Sequence, residues 1–365
     1  QQSYGSGSCQ SNDVLDKVAV GPITVAQQDM WVAKDCNMPL LGSAAFESIV
    51  GIGPPGHLAV SAHNKLNQVK QLQEEYENDG APVPKTLEDS ARHALEDIED
   101  SKTKKDLLTN LGVKTFSACY GKAPNSPGWI IWNDATRSGQ PGVRMVPVVG
   151  LLTWGVKLGQ VGLHYPDGKQ AAMSCQDGCG AIIDTGTSLL GVPSIIYNRI
   201  IEALDAEDVD GASVDCRNMA ELPKLLITMG EQSFYLSPQS YLGKMSGGLN
   251  SDSMGFVRST RQGLDEDRNG RCQLLLMDLG SRKTQFGPMF ILGLPFMREF
   301  YTTFDLGADA DHRSLFISNS WGTCDKDGAM DTVEGFRHEQ QFLSVDASKI
   351  RMPGWLGDRD STHTI

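Results

Sequence analysis

A chain of 365 residues, 40% hydrophobic and 21% charged, has a globular composition and is sized for two domains rather than one ordinary core. Its formal charge of −13, from 45 acidic against 32 basic residues, argues against nucleic acid or an anionic membrane surface as the main partner, since both call for a basic face. The longest apolar run, Val146–Trp154, is far short of the ~20 residues of a spanning helix, so no membrane span is expected.

The chain opens on Gln1 with no charged-then-apolar leader behind it, so something upstream is expected to be missing. From Tyr4 to Pro54 it reads as short β segments with Gly and Pro punctuation. Runs 13–20 and 23–34 flank Val20-Gly21-Pro22, a turn signal. In a hairpin turning there, the residue numbers of facing partners add to about 43–45, which brings Cys9 beside Cys36. A disulfide or two separate buried thiols both fit that placement.

Residues 58–111 change character, with two helical stretches separated by Gly80-Ala-Pro-Val-Pro84. In the second, Leu87, Ala91, Leu95 and Ile98 share a face, and Thr86 with Asp89 stands where a capping pair would be. Eleven acidic and seven basic residues between Lys65 and Asp106 make this an inserted surface subdomain with a solvated face. A third helical turn, Lys105–Leu111, stops at Gly112.

From Val113 to about residue 318 strands recur: Lys114–Tyr120, Trp129–Trp132, Val143–Val149, Leu151–Leu158, Gly180–Asp184, Leu225–Met229, Ser233–Leu236 and Leu274–Met277. Strand and helix do not alternate as in a parallel α/β fold, so the expected architecture is mostly β in two lobes. After Ser318 comes a polar tail without clear period, expected to be loosely ordered.

Among the eight cysteines only Cys175 and Cys179 are close, and no histidine lies within ten residues of either, so no metal site is expected. Asp265-Glu-Asp267-Arg-Asn269-Gly270 begins like an EF-hand loop, but Leu276 stands where the bidentate Glu belongs, and it reads as a polar loop. The segment that carries chemistry is Ala181-Ile-Ile-Asp184-Thr185-Gly186-Thr187-Ser188-Leu-Leu190. A buried strand ends at Asp184, and a turn of small hydroxyl residues can hold its carboxylate through backbone N–H groups and hydroxyls. Alone, an Asp-Thr-Gly triplet fits a strand-end Asx turn equally well.

It is not alone. Cys175-Gln-Asp-Gly-Cys179-Gly-Ala-Ile-Ile-Asp184-Thr-Gly-Thr-Ser-Leu-Leu190 resembles the second catalytic segment of the pepsin-like aspartic endopeptidases. Leu222–Thr228 with Tyr235–Tyr241 is similar to that family's second-lobe strands, and Phe290–Asp305 to the stretch that follows. Tyr4-Gly5-Ser6-Gly7 resembles the tip of the substrate-covering flap, and Phe46–Gly51 an apolar-apolar-Gly strand of the first lobe. The resemblance covers most of residues 1–318. It departs at Leu294, at Glu47-Ser48 and in the length of the helical insert.

The resemblance implies a bilobal acid-protease fold with a helical insert in the first lobe. Its parts would be a partial N-terminal lobe over 1–141 (flap 1–10, insert about 58–111), a C-terminal lobe over 142–319 and a tail over 320–365, with the lobes meeting near 138–145. It implies Asp184 as catalytic, Thr185, Gly186, Thr187, Ser188, Ile291, Leu292 and Gly293 as its support, and the disulfides Cys175–Cys179 and Cys216–Cys272. Cys119 and Cys324 are left over, to pair or remain buried thiols. The implied partner is a peptide or protein substrate, with no cofactor, in a chain monomeric when complete. Its compartment would be the secretory pathway, a lysosome- or vacuole-like organelle or the exterior. The chemistry needs two aspartates, and only Asp184 stands in an Asp-Thr-Gly or Asp-Ser-Gly here. The first is therefore expected upstream of Tyr4; a peptide-binding relative without the dyad is the alternative.

Overall fold

The computed structural model describes residues 2–4, 7–37, 48–121, 126–134, 139–204, 213–249, 256–257, 271–320, 343–351 and 362–363. Within them the chain is mostly β, arranged in four sheets with six α-helices.

Strands β1 (Gln2–Tyr4), β2 (Gly7–Val20) and β3 (Ile23–Asn37) form an antiparallel three-stranded sheet. Val20 faces Ile23 across the turn, where Gly21 takes φ +58°, a conformation a side chain would resist. Two irregularities, at Gln10/Ser11 and Asp16/Val18, each add one residue on the β3 side. They carry the register to Cys9 opposite Cys36, which are disulfide-bonded. Residues 48–54 lie in no strand, and Ile49 and Val50 are exposed, unlike the β segment expected there. Pro54 and Pro55 offer no ladder donors and Gly51 and Gly53 no packing side chains, which explains the difference.

Helices α1 (His57–Asn78) and α2 (Lys85–Ser101) pack on each other, followed by the short α3 (Leu107–Asn110). Ala62, Leu66 and Val69 of α1 and Ala94 of α2 are buried. The inward stripe of α2 is thus Leu87, Ala91, Ala94 and Ile98, and Leu95 is left 55% exposed. Thr86 and Asp89 do not cap α2: Pro84 takes the N-cap position without a side-chain bond, and Asp89 pairs with Arg92 at 2.6 Å. At α3 the cap is Asp106, which accepts from the Thr109 N–H at 2.9 Å, and Gly112 turns the chain out at φ +66°.

Then follow β4 (Thr115–Tyr120), β5 (Gly128–Trp132), β6 (Arg144–Pro147), β7 (Gly155–His164), β8 (Gln170–Ser174), β9 (Cys179–Ile183) and β10 (Leu190–Val192). Helix α4 (Ser194–Ala203) leads to β11 (Ser213–Asp215), β12 (Lys224–Met229) and β13 (Gln232–Leu236). After α5 (Pro238–Tyr241) come β14 (Leu242–Ser246), β15 (Arg271–Leu274), β16 (Leu276–Asp278), β17 (Lys283–Thr284) and β18 (Gly287–Leu292). The last elements are α6 (Leu294–Glu299), β19 (Phe300–Asp305), β20 (Ser314–Asn319), β21 (Leu343–Asp346) and β22 (Thr362–His363).

The largest sheet runs β13-β12-β7-β9-β18-β10-β16, with β8, β17 and β22 attached. A second runs β5-β4-β19-β20-β6, and a third β11-β15-β14-β21. Two expected strands differ. Residues 151–153 form a bend, because the Val149 and Gly150 N–H groups both turn back onto the Gly155 carbonyl. The run 274–277 divides at Leu275, whose N–H donates to the Tyr241 carbonyl while its own carbonyl takes the Leu190 N–H. The β-branched run in α4 hid a helix that buries Ile196, Tyr197 and Ile200. Within the tail, residues 343–351 differ from the expected loose order, since β21 pairs in parallel with β14 and Leu343, Ala347 and Ile350 are buried.

The main core lies between the large and five-stranded sheets. Phe116 stacks on Phe304 at 4.6 Å, and Trp154 meets both rings edge-on at 5.8 and 5.1 Å. The Trp154 indole N–H also donates to the Ile52 carbonyl at 2.9 Å, tying residues 48–56 to this core.

Candidate active site

Asp184 follows directly on β9, whose five residues are all buried. β18 lies parallel to β9, with Ile291 opposite Ile182 and Leu292 opposite Ile183. The Asp184 N–H donates to the Leu292 carbonyl at 3.1 Å, so the chain is held to the very residue where it turns. The turn then closes on the carboxylate. Gly186 N–H donates to Oδ1 at 2.9 Å, and the buried Thr187 Oγ1 donates to Oδ2 at 2.5 Å. Each oxygen of Asp184 thus has its own local donor, while the residue stays half-buried and Gly186 exposed.

Gly293 supports the turn from behind. The Leu294 N–H donates to the Thr187 carbonyl at 2.9 Å, and a Cβ on Gly293 would meet the Leu189 carbonyl oxygen at 2.2 Å. Only glycine fits that crossing. Asp184–Ser188 and Ile291–Gly293 are therefore one assembly, drawn from segments about a hundred residues apart. Next to it the Cys175–Cys179 disulfide closes the loop before β9, and Cys216–Cys272 joins β15 to the residue just after β11.

Two neighbours went unnoticed in the sequence. Burial pushes the Tyr120 phenol above its usual value; a hydrogen bond with the Thr185 side chain and the Arg298 guanidinium oppose this, and the Asp184 charge adds to it. The phenol thus stays protonated beside the carboxylate. Burial holds Arg298 below its ordinary value, partly offset by Tyr120. β4 brings Tyr120 to the turn, and α6 brings Arg298 near Tyr120.

Of the flap segment, Tyr4 ends β1 opposite Gly7, while Gly5 and Ser6 lie outside the described residues. Phe46, Glu47 and the loop Asp265–Gly270 also lie outside them. Cys119 is disulfide-bonded; Cys324 lies outside the described residues. Among the described residues no His, Cys, Asp and Glu cluster could hold a metal, and no helix is long and apolar enough to cross a membrane.

The eukaryotic aspartyl protease family matches this chain over residues 109–311. The chain belongs to that family. Mouse cathepsin E is 32% identical over 164 residues, 44% of this chain and 35% of that protein. Cathepsin E-B of Xenopus laevis is 26% identical over 310 residues, 83% of this chain and 62% of that protein. Human gastricsin is 28% identical over 187 residues, 50% of this chain and 41% of that protein. The chain thus spans between about a third and three fifths of the length of these aspartyl protease relatives. The family match takes in Asp184 and Gly293 but neither α1–α2 nor the tail.

Proposed function

We propose that this chain carries one half of an aspartic endopeptidase site, with Asp184 as one of its two carboxylates. The observation that carries this reading is the grip on Asp184. Two separate donors hold its two oxygens, on a turn that ends a buried strand and remains open to solvent. Such a carboxylate is oriented without a neighbouring base.

The second carboxylate comes from outside these 365 residues, since no other Asp-Thr-Gly or Asp-Ser-Gly occurs in them. Two carboxyls about 3 Å apart share one proton, because both cannot ionise. The ionised one takes a proton from water, whose oxygen attacks the peptide carbonyl carbon; the protonated one donates to the carbonyl oxygen. Collapse of the resulting gem-diol breaks the C–N bond: the leaving amine takes a proton from one carboxyl while a gem-diol hydroxyl gives its proton to the other, restoring the dyad. No covalent enzyme intermediate forms.

Residues 1–141 are read as a partial first lobe with a flap at 1–10 and the helical pair as its insert, residues 142–319 as the second lobe, and 320–365 as a C-terminal extension. The five-stranded sheet draws β4 and β5 from one side of that boundary and β6, β19 and β20 from the other, so it would join the lobes. The substrate is a peptide or protein in extended form, and the complete protein acts as a monomer. The disulfides Cys9–Cys36, Cys175–Cys179 and Cys216–Cys272, with Cys119 also disulfide-bonded, suit the secretory pathway or an organelle it feeds.

The test is cleavage of an unstructured protein at pH 3–6 by this chain, by a version extended upstream through an Asp-[Thr/Ser]-Gly, and by that version with Asp184→Asn. Cleavage by the extended chain alone is expected. Undiminished cleavage by the short chain or by the Asn variant would refute the dyad. An inactive extended chain with both aspartates in place would favour a peptide-binding relative.

A further inference from the structure

The tail reaches the Asp184 turn. Arg351 N–H donates to Ser188 Oγ at 3.0 Å, and the Ser188 N–H donates to the Arg351 carbonyl at 3.2 Å. Both bonds use the Arg351 main chain, across 163 positions of sequence. The segment is anchored on its other side. β21 pairs with Gly243–Ser246 of β14, and Ile350 and Leu343 are buried in one cluster with Leu189, Met245 and Met277. Leu189 adjoins Ser188, and Ser188 adjoins Thr187, the donor to Asp184 Oδ2. The tail thus holds the turn at the residue just beyond the one that grips the carboxylate.

We propose that Leu343–Arg351 is a positioning strap for the Asp184 turn, acting through the two main-chain hydrogen bonds of Arg351 to Ser188. This rests on the reading of Asp184 as catalytic, and it assigns a role to a segment outside the family match, which ends at residue 311. A substrate chain would then meet a turn whose free side is already tied down. Of the five hydrogen bonds that the residues Gly186–Ser188 make to Asp184 or to the tail, the two to Arg351 are the ones supplied from outside the turn.

The test replaces a hydrogen-bond donor while leaving the side-chain chemistry as a control. Arg351→Pro removes the N–H and keeps the carbonyl; Ile350 already has ψ 132°, the extended setting a following proline requires. Arg351→Ala keeps the N–H. Amide hydrogen exchange is read at Gly186, whose N–H is bonded to the Asp184 carboxylate itself, and at Ser188. In Arg351→Pro both are expected to exchange about tenfold faster, the order of one lost hydrogen bond, while Ile183 and Leu190 are unchanged. Arg351→Ala should match the unaltered chain. If the proline variant also frees β21, Ser188→Ala, which removes only the hydroxyl acceptor, decides. Unchanged Gly186 exchange in Ser188→Ala or in a proline variant with β21 still paired overturns the strap. This readout needs no catalysis, so it stands apart from the endopeptidase test. In the extended, cleaving protein Arg351→Pro should lower kcat several-fold at unchanged KM, whereas faster cleavage would overturn the proposal by making the tail an obstruction.

Discussion

Gly293 passes so close to Thr187 that a Cβ on it would lie 2.5 Å from the Thr187 carbonyl oxygen. That same oxygen accepts the Leu294 N–H at 2.9 Å, so the strand end behind the turn both touches and bonds the residue that holds Asp184. Moving either moves the carboxylate. Gly293→Ala is accordingly expected to lower stability by about 1–3 kcal/mol, the cost of forcing a methyl into a packed site. Urea unfolding of the chain checks this. An unchanged midpoint would mean the crossing is looser than its contacts indicate.

The Thr187 hydroxyl is fully buried and donates to Asp184 Oδ2. Thr187→Val keeps the shape and removes the donor, so a half-buried carboxylate loses one of its two local partners. A loss of about 1–3 kcal/mol is expected, with Thr187→Ser recovering most of it. In an extended, cleaving protein the valine variant should also lose most of kcat/KM and the serine variant keep it.

The disulfides should differ in weight. Cys216–Cys272 spans 56 positions and Cys175–Cys179 only 4. In the chain-entropy picture the longer loop constrains the unfolded chain more, and removing its bridge should cost about 2–5 kcal/mol. Replacing Cys216 and Cys272 together by Ala should lower the urea midpoint more than the same change at Cys175 and Cys179. The reverse order would point to native-state packing around the small loop instead.

Asp309 and His312 form an exposed pair at 2.6 Å. The hydrogen bond and charge of Asp309 raise the His312 imidazole above its ordinary 6.5, and the same hydrogen bond lowers Asp309 below 3.8. The His312 contribution is complete below about pH 6.5 and fades as pH rises through its raised value; the Asp309 contribution is complete above about pH 4 and fades as pH falls through its lowered value. The pair therefore supports the fold between about pH 4 and 6.5. Thermal unfolding of His312→Asn should differ from the unaltered chain in that window and converge with it above neutrality. A constant offset across pH would show that packing, not charge, is responsible.

The turn around Asp184 was legible in the sequence because its hydrogen bonds are local. Gly186 and Thr187 reach the carboxylate from two and three residues away, so residue order alone places them. The same holds for Gly112, where a turn needs a left-handed backbone, and for the hairpin at Gly21. Resemblance extended this to Gly293 and to two of the disulfides. Tertiary structure alone decided which distant residues meet around this turn. Tyr120, Arg298 and Arg351 lie in segments whose local pattern says only strand, helix or polar tail; β4 carries Tyr120 to Thr185, α6 carries Arg298 near Tyr120, and the segment after β21 carries the Arg351 main chain to Ser188. It also decided that Ala94 rather than Leu95 faces α1, since a helical stripe fits both until the partner helix is in place. Local order fixes a turn because its donors arrive with it; a neighbour across a sheet arrives only once the whole chain has paired.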